Sequence, residues 1–301
     1  MSTMIILILV AVVLGVLGVQ AHGEDRVMYG LMGAWSMEDG TGTTLEDIGG
    51  SHDGTFNSSP QWVADGVVNQ DNTSTGALSF DGIDDYVEMP GTSDWHFTSG
   101  FTLSAWVKFN EDNSMNTIVG RHLSGVVNGY FLSVRNNCFA FYFCGDWILS
   151  PLTYKDNLWH YVVGVYNGTQ YSLYVDGNLV NGPTNRAYSF LSYAYLRIGA
   201  GTEGGGGIGA FKGKIDEVKV YNRALTQDDI DKQYDLGANK FIWIPGDANH
   251  DGIVGLQDLS TLASHYGEGP GKVWEEGDFN EDGYVNLVDQ SILASNYGYG
   301  D

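Results

Sequence analysis

Two stretches near the C-terminus are near-copies: Asp247 to Asp258 (DANHDGIVGLQD) and Asp278 to Asp289 (DFNEDGYVNLVD). Each has Asp at position 1, Asn at 3, Asp at 5, Gly at 6 and Asp at 12. That is oxygen-ligand spacing for a hard cation, and Ca²⁺ fits it best. The ligand set predicted for the first loop is Asp247, Asn249, Asp251, the Ile253 carbonyl and Asp258. For the second it is Asp278, Asn280, Asp282, the Tyr284 carbonyl, Asn286 and Asp289. Position 9 of the first loop is Gly255, so a water must stand in there. Gly252 and Gly283 permit the sharp turn at position 6. Three carboxylates converging in each loop would repel one another without a cation. The stretch 245–301 holds 11 Asp+Glu against one Lys and no Arg, so cation binding should be coupled to its folding.

Each loop runs into a short apolar-periodic segment, 259–266 and 290–297, that ends in a glycine, Gly267 or Gly298. The spacing therefore predicts loop, helix, spacer, loop, helix. The residues before the first loop, 241–245, read as extended and end in Pro245, a helix breaker. A full EF-hand would have Glu at position 12 and a helix before the loop. The duplicated loop–helix instead resembles a type I dockerin, over about the last 57 residues. The resemblance implies a small helical module that docks onto a cohesin-like domain of another protein. Dockerins often carry a Ser-Thr-type pair just before the position-12 Asp. Here those places hold Leu256-Gln257 and Leu287-Val288. Leu287 and Val288 either form an apolar docking patch or pack inside the module.

The N-terminal end reads as a targeting segment over residues 1–21. Residues 5–19 are an uninterrupted apolar run, the length of a signal-peptide core and short for a membrane span. Val19-Gln20-Ala21 fits a small-residue cleavage site. The expectation is a secreted protein, extracellular or at the cell surface, with no membrane insertion after cleavage; an uncleaved N-terminal anchor is the alternative. The formal net charge of −23 argues against a nucleic-acid partner. Charged residues are only 17% while Gly is 42 residues and aromatics 13%, a profile of short strands and tight turns. Cys138 and Cys144 sit in one strand-like run with no turn residue. Six extended residues span roughly 20 Å, so no disulfide can join them and both should be free thiols.

From residue 28 to 236, strand-like runs alternate with Gly/Asn/Asp turns. Residues 101–109 alternate with period two, their apolar face being Phe101, Leu103, Ala105, Val107 and Phe109. Asn167-Gly168 and Asp176-Gly177 mark hairpin turns. There is no βαβ rhythm, so the fold class is mostly β, an antiparallel two-sheet sandwich. Residues 79–88, 101–108, 159–166, 173–180 and 213–226 carry a resemblance to the laminin-G-like, concanavalin A-like jelly roll. The organisation expected is a signal peptide (1–21), the sandwich (24–237), a linker (238–244) and the paired-loop module (245–301). Asp216 shares a strand face with Val218 and Val220; if that face is buried, its carboxylate needs either a metal or backbone donors. By the family resemblance Asp47 would be a co-ligand of a third, structural Ca²⁺. Thr226 reads as the N-cap of a helix over 227–234 that seals the sandwich edge.

Glucanases also use this fold, but the catalytic acid pattern they place on one strand occurs here only at Glu276–Glu281, inside the second loop. The expectation is a chain without catalytic residues. The resemblance implies glycan or protein binding, and the partner expected is a polysaccharide or other glycan. Aromatic platform candidates are Trp95, Trp106, Trp147, Tyr193 and Tyr195, each with packing as the competing role. A structural or adhesive surface protein is the second reading, and a diverged hydrolase the third.

Overall fold

A computed structural model describes residues 29–49, 51–67, 76–91, 93–97, 99–111, 115–123, 129–187, 194–203, 209–237, 246, 248, 254–272, 276–280 and 283–298. The expected targeting segment lies outside them. The chain folds as two compact units, one spanning residues 31–240 and one containing residues 241–301.

The first unit is built of strands β1 (Leu31–Trp35), β2 (Thr44–Leu45), β3 (Gly54–Asn57), β4 (Gln61–Val63), β5 (Ala77–Asp81), β6 (Tyr86–Glu88), β7 (Phe101–Lys108), β8 (Met115–Leu123) and β9 (Tyr130–Arg135). It continues through β10 (Cys138–Phe143), β11 (Asp146–Leu149), β12 (His160–Tyr166), β13 (Gln170–Val175), β14 (Asn178–Asn185), β15 (Arg197–Ile198), β16 (Thr202–Glu203) and β17 (Lys212–Tyr221), then helix α1 (Gln227–Leu236). The first sheet runs β14-β13-β12-β7-β17-β5-β4, with β1 also on β17; the second runs β11-β10-β9-β8-β15-β6-β3-β2, with β16 on β8. Every pairing is antiparallel except β16 with β8. The protein is thus a mostly β, two-sheet sandwich.

The period-two reading of β7 holds: Phe101, Leu103, Ala105, Val107 and Phe109 all lie in the core between the sheets. The opposite face of β7 is buried too, because Trp106 joins Val67, Tyr161, Val163, Val165, Tyr221, Leu225 and Ile230 in a second apolar cluster on the outside of the first sheet. Helix α1 covers that cluster rather than sealing a sheet edge: Tyr234 stacks on Trp106 with centroids 5.6 Å apart and planes at 18°. Thr226 is the helix N-cap as expected, in a reciprocal capping box with Asp229. Arg223 reaches the same carboxylate at 2.8 Å.

Asp216 does not share a face with Val218 and Val220. Between Asp216 and Lys219 the register of β17 slips against β7, and Glu217 takes φ +49°. This bulge moves Asp216 and Lys219 to the outer face, opposite Trp106 and Ser104, while Val218 and Val220 stay in the core. Parity fails because one extra residue resets it. Asp216 and Glu217 are both buried. Lys219 Nζ reaches Glu217 Oε2 at 3.1 Å and donates to Gln233 Oε1 of α1 at 2.9 Å.

The turns follow their sequence signals, with one shift. Asp176 and Gly177 both have positive φ between the paired residues Val175 and Asn178, the two-residue turn expected of Asp-Gly. At the other hairpin Asn167 still pairs with Gln170, so the two turn residues are Gly168 and Thr169, with Gly168 at φ +98°. The Asn167 side chain accepts from the Thr169 and Gln170 N–H groups and so props the turn from outside. Cys138 and Cys144 form no disulfide and lie in and just after a single strand.

Two outcomes follow from these ionic contacts. Replacing Lys219 by Ala leaves Glu217 buried without its cation and should cost about 3 to 5 kcal/mol in urea unfolding; a cost below about 1 kcal/mol would show that the pair does not hold α1. His160 lies 2.7 Å from Asp176 and 3.2 Å from Asp156. Burial works against its protonation, but the two carboxylates outweigh it and hold the imidazole above its ordinary 6.5. That stabilisation is complete below the unfolded value of about 6.5 and is lost as pH rises through the higher folded value. His160→Gln should therefore lower Tm at pH 5.5 and converge on the parent by pH 9; equal losses at both would contradict the ion pairs.

Candidate functional site

With α1 and residues 64–67 spread over the first sheet, the outer face of the second sheet carries the side chains available for contact. Strand register lines them up in one transverse row. Trp147 of β11 pairs with Tyr142 of β10, Tyr142 with Phe131 of β9, and Phe131 with Gly120 of β8. The row continues through Arg197 of β15 and Glu88 of β6 to Thr55 of β3. Side chains in such a row point the same way, because directly opposed residues share a face.

At one end the rings form a cluster. Phe131 and Tyr142 stack at 4.6 Å, and Trp147 stands edge-on to both, at 5.4 and 4.9 Å. His122 closes the cluster edge-on at 5.3 to 5.5 Å. Phe131 and Tyr142 are nearly covered by this packing, which leaves Trp147 as the partly exposed ring. Gly120 has no substitute: a Cβ there would fall 2.3 Å from Phe131 Cβ and 2.4 Å from the Tyr130 carbonyl oxygen. Beyond Gly120, Arg197 donates to Glu88 Oε2 from Nε at 2.9 Å and Nη2 at 2.6 Å, and its guanidinium lies 4.4 Å from the Tyr86 ring. An apolar ring surface beside a fixed set of hydrogen-bonding groups suits a ligand with both C–H faces and hydroxyls.

Of the five platform aromatics named from sequence, Trp147 is on this row. Trp106 is packed under α1. Trp95 is buried and donates its indole N–H to the Pro90 carbonyl at 3.0 Å. Tyr193 lies outside the described residues, and Tyr195 is 39% exposed, one residue before Leu196 of the core. Sequence reasoning missed Phe131, Tyr142, Gly120, Arg197 and Glu88. Strand β10 is apolar on both faces, so no alternation marks Tyr142 as outward, and in β9 Phe131 is an apolar residue on the face that Ser133 and Arg135 share.

In the second unit helices α2 (Leu256–His265) and α3 (Leu287–Asn296) follow the two loops. Asp258 accepts from Ala248 N–H and Gly255 N–H, both at 2.8 Å. Asp289 accepts from the corresponding Phe279 and Asn286 N–H groups, also at 2.8 Å. Each is the third residue of its helix and reaches back to the N-cap N–H; at the second helix the N-cap Asn286 side chain also accepts from Val288 N–H at 2.9 Å, whereas the first has Gly255 there, with no side chain to cap. Asp278 accepts from Gly283 N–H at 2.7 Å, with Gly283 at φ +84°. The position-8 residues Val254 and Val285 are buried, and each loop is laced to the chain leaving the other helix: Gly298 N–H to Val254 O at 2.9 Å, Gly267 N–H to Val285 O at 2.8 Å. Asn280, Tyr284 and Asn286 lie in the same second loop. Asp247, Asn249, Asp251, Ile253 and Asp282 lie outside the described residues. Leu287 and Val288 do not pack inside: they are 62% and 50% exposed, and Leu256 is 75% exposed.

Asp216 and Asp47 have separate surroundings. Asp216 accepts from Val67 N–H at 2.9 Å and Glu217 N–H at 2.8 Å, which is the backbone role foreseen for a buried carboxylate there. Burial, then the Glu217 charge, pushes its carboxyl well above the ordinary range against those two donors. Asp47 organises its own loop, accepting from the N–H groups of Ala34, Gly49, Ser51 and His52. Among the described residues a different trio, Asp81, Asp84 and Asp85, brings three carboxylates within 4.8 Å. It sits where the chain crosses from β5 in one sheet to β6 in the other. Asp85 accepts from Ser59 and Asp81 N–H, and Asp81 from Ile83 N–H, so the trio ties the crossing.

A family model described as the concanavalin A-like lectin/glucanases superfamily matches residues 81–231. No curated protein matches the chain in sequence. Among solved structures, domain 4 of AbnA, an extracellular GH43 arabinanase from Geobacillus stearothermophilus in complex with arabinotriose, is 15% identical, with a TM-score of 0.51, covering 67% of this chain and 96% of that one. Trypanosoma rangeli sialidase in complex with sialic acid is 17% identical, with a TM-score of 0.53, covering 77% of this chain but 38% of the sialidase. The binding domain of Paraclostridial Mosquitocidal Protein 1 is 14% identical, with a TM-score of 0.53, covering 69% of this chain and 52% of that one. At these identities the likeness is one of fold. The family match takes in half of the 301 residues and falls wholly within the sandwich, so the chain belongs to the concanavalin A-like lectin/glucanases superfamily.

Proposed function

We propose that this protein is a secreted, non-catalytic carbohydrate-binding protein whose sandwich takes a glycan on the outer face of its second sheet. The observation that carries the reading is the row from Trp147 to Glu88: a partly exposed indole and, beyond Gly120, an Arg–Glu–Tyr cluster. A sugar ring stacks its C–H face on an aromatic ring and offers its hydroxyls to neighbouring charged groups. The arabinanase domain found with arabinotriose lends support, since nearly its whole length matches this fold. Glycoside hydrolysis needs two carboxyls about 5 to 9.5 Å apart. The row holds one carboxylate, Glu88, and Arg197 already neutralises it. That supports binding without turnover.

The C-terminal unit serves, in this reading, as a calcium-loaded docking module of the dockerin type. The donor set of the second loop fits the cation: Asp278 and Asp289 are buried carboxylates, and Asn280, Asn286 and the Tyr284 carbonyl supply neutral oxygens; in the first loop Asp258 is the corresponding buried carboxylate. Bound Ca²⁺ would supply the positive charge that these acids share. The loops already have the carboxylate-to-backbone hydrogen bonds that would orient such ligands. Leu256, Leu287 and Val288 lie exposed at the two helix starts and offer an apolar surface to a cohesin-like partner. Secretion is motivated by the N-terminal apolar run.

Two experiments test these parts separately. On a glycan array in calcium, the full chain should bind at least one polysaccharide, and Trp147→Ala should weaken that binding about tenfold or more without moving the sandwich transition; an array with no binder would end the lectin reading. In differential scanning calorimetry, excess chelator should abolish or shift downward the transition of the C-terminal unit and leave the sandwich transition in place. A trace that chelator leaves unchanged would mean the loops hold no structural cation.

A further inference from the structure

The row on the second sheet has a neighbour that its pairing does not include. Arg135, the last residue of β9, lies on the same face as Phe131 and Ser133, and its guanidinium is 4.6 Å from the Trp147 ring. Trp147 and Arg135 start far apart: one strand, β10, lies between theirs, and their pairing partners Tyr142 and Cys138 are four residues apart along β10, about 13 Å at the rise of a strand. Both side chains therefore reach across the small residues between them, Ser133 and Ala140, which are fully buried. The Asn136-Asn137 turn, with φ +52° and +63°, fixes the strand end that carries Arg135.

Arg135 is set apart by its charge. The chain has 37 Asp+Glu against 14 Lys+Arg, so a cation seldom lacks an acid partner. Lys108, Lys214, Arg197, Lys212, Lys219, Arg223, Lys232 and Lys272 each have a carboxylate within 4 Å. Among the described residues Arg135 has none, and its contact is with the indole alone. A guanidinium lying against a ring keeps its N–H edge free, and that edge matches a carboxylate in a planar, two-bond fork. The folded chain thus leaves a cation edge unused beside its partly exposed tryptophan.

We propose that Arg135 and Trp147 form a subsite for an acidic sugar, a uronic acid residue of a polysaccharide. Arg135 takes the sugar carboxylate and Trp147 its ring face. This rests on the glycan-binding reading above and narrows it to a ligand class. The net charge of −23 does not forbid an anionic ligand, because charges beyond about 8 Å are largely screened at physiological salt while a contact pair is not.

The test is calorimetric titration of the full chain, in calcium, with an oligogalacturonate and with a neutral galactan oligosaccharide of equal length. The proposal predicts at least tenfold tighter binding of the oligogalacturonate, weakened by added NaCl. Arg135→Gln should abolish the preference and the salt dependence, and Arg135→Lys should restore part of both. Equal affinity for the two sugars, or a preference that survives Arg135→Gln, overturns the acidic-sugar subsite and leaves the lectin reading intact. If neither sugar binds, nor any glycan on the array, both fall together.

Discussion

The arrangement of the sandwich turns on one irregularity in one strand. β17 runs through the middle of the first sheet, between β7 and β5, and at Glu217 it bulges. The bulge turns Asp216 and Lys219 outward and buries three ionisable groups in a row, an arrangement that costs free energy unless each is paired. Lys219 pairs with Glu217 and reaches up to Gln233 of α1; Asp216 takes the Val67 and Glu217 N–H groups. These polar contacts hold α1 and the 64–67 segment on the outside of the first sheet, where Trp106 and Tyr161 then complete an apolar layer with Tyr234. The consequence for function is geometric. One outer face becomes a second core, and the other is not covered by α1.

That asymmetry explains which aromatics can serve as a platform. Trp106 and Trp147 are both on outward faces by parity, and composition alone cannot separate them. The helix decides: it packs on the sheet that holds Trp106. On the second sheet, packing among Phe131, Tyr142 and His122 holds Trp147 upright, so its exposed surface is presented rigidly. A preorganised ring loses little conformational freedom on binding.

Much of this was legible in the sequence where local chemistry decides structure. The alternation over 101–109 gave the core face of β7, Asp176-Gly177 its turn, and Thr226 with Asp229 the start of α1. The two loops were visible as a repeat, and their position-12 carboxylates, Asp258 and Asp289, take corresponding pairs of N–H groups. What stayed hidden depends on contacts far apart in sequence. The bulge at Glu217 is invisible to a period-two reading, which put Asp216 in the wrong face. The row from Trp147 to Glu88 draws on six strands between residues 86 and 198, and its order follows from strand pairing that no local pattern encodes. Gly120 reads in sequence as a strand weakener; only the Phe131 backbone beside it shows why no other residue fits.

The claim that most needs testing is the location of the ligand. Amide chemical shifts of the full chain should be followed while a polysaccharide identified as a binder is titrated in. The account predicts that the largest changes fall on β8 to β11, centred on Phe131, Tyr142 and the Trp147 indole N–H, with little change around Trp106 and Tyr234. Changes centred on α1 and the first sheet, with the Trp147 indole unmoved, would contradict it.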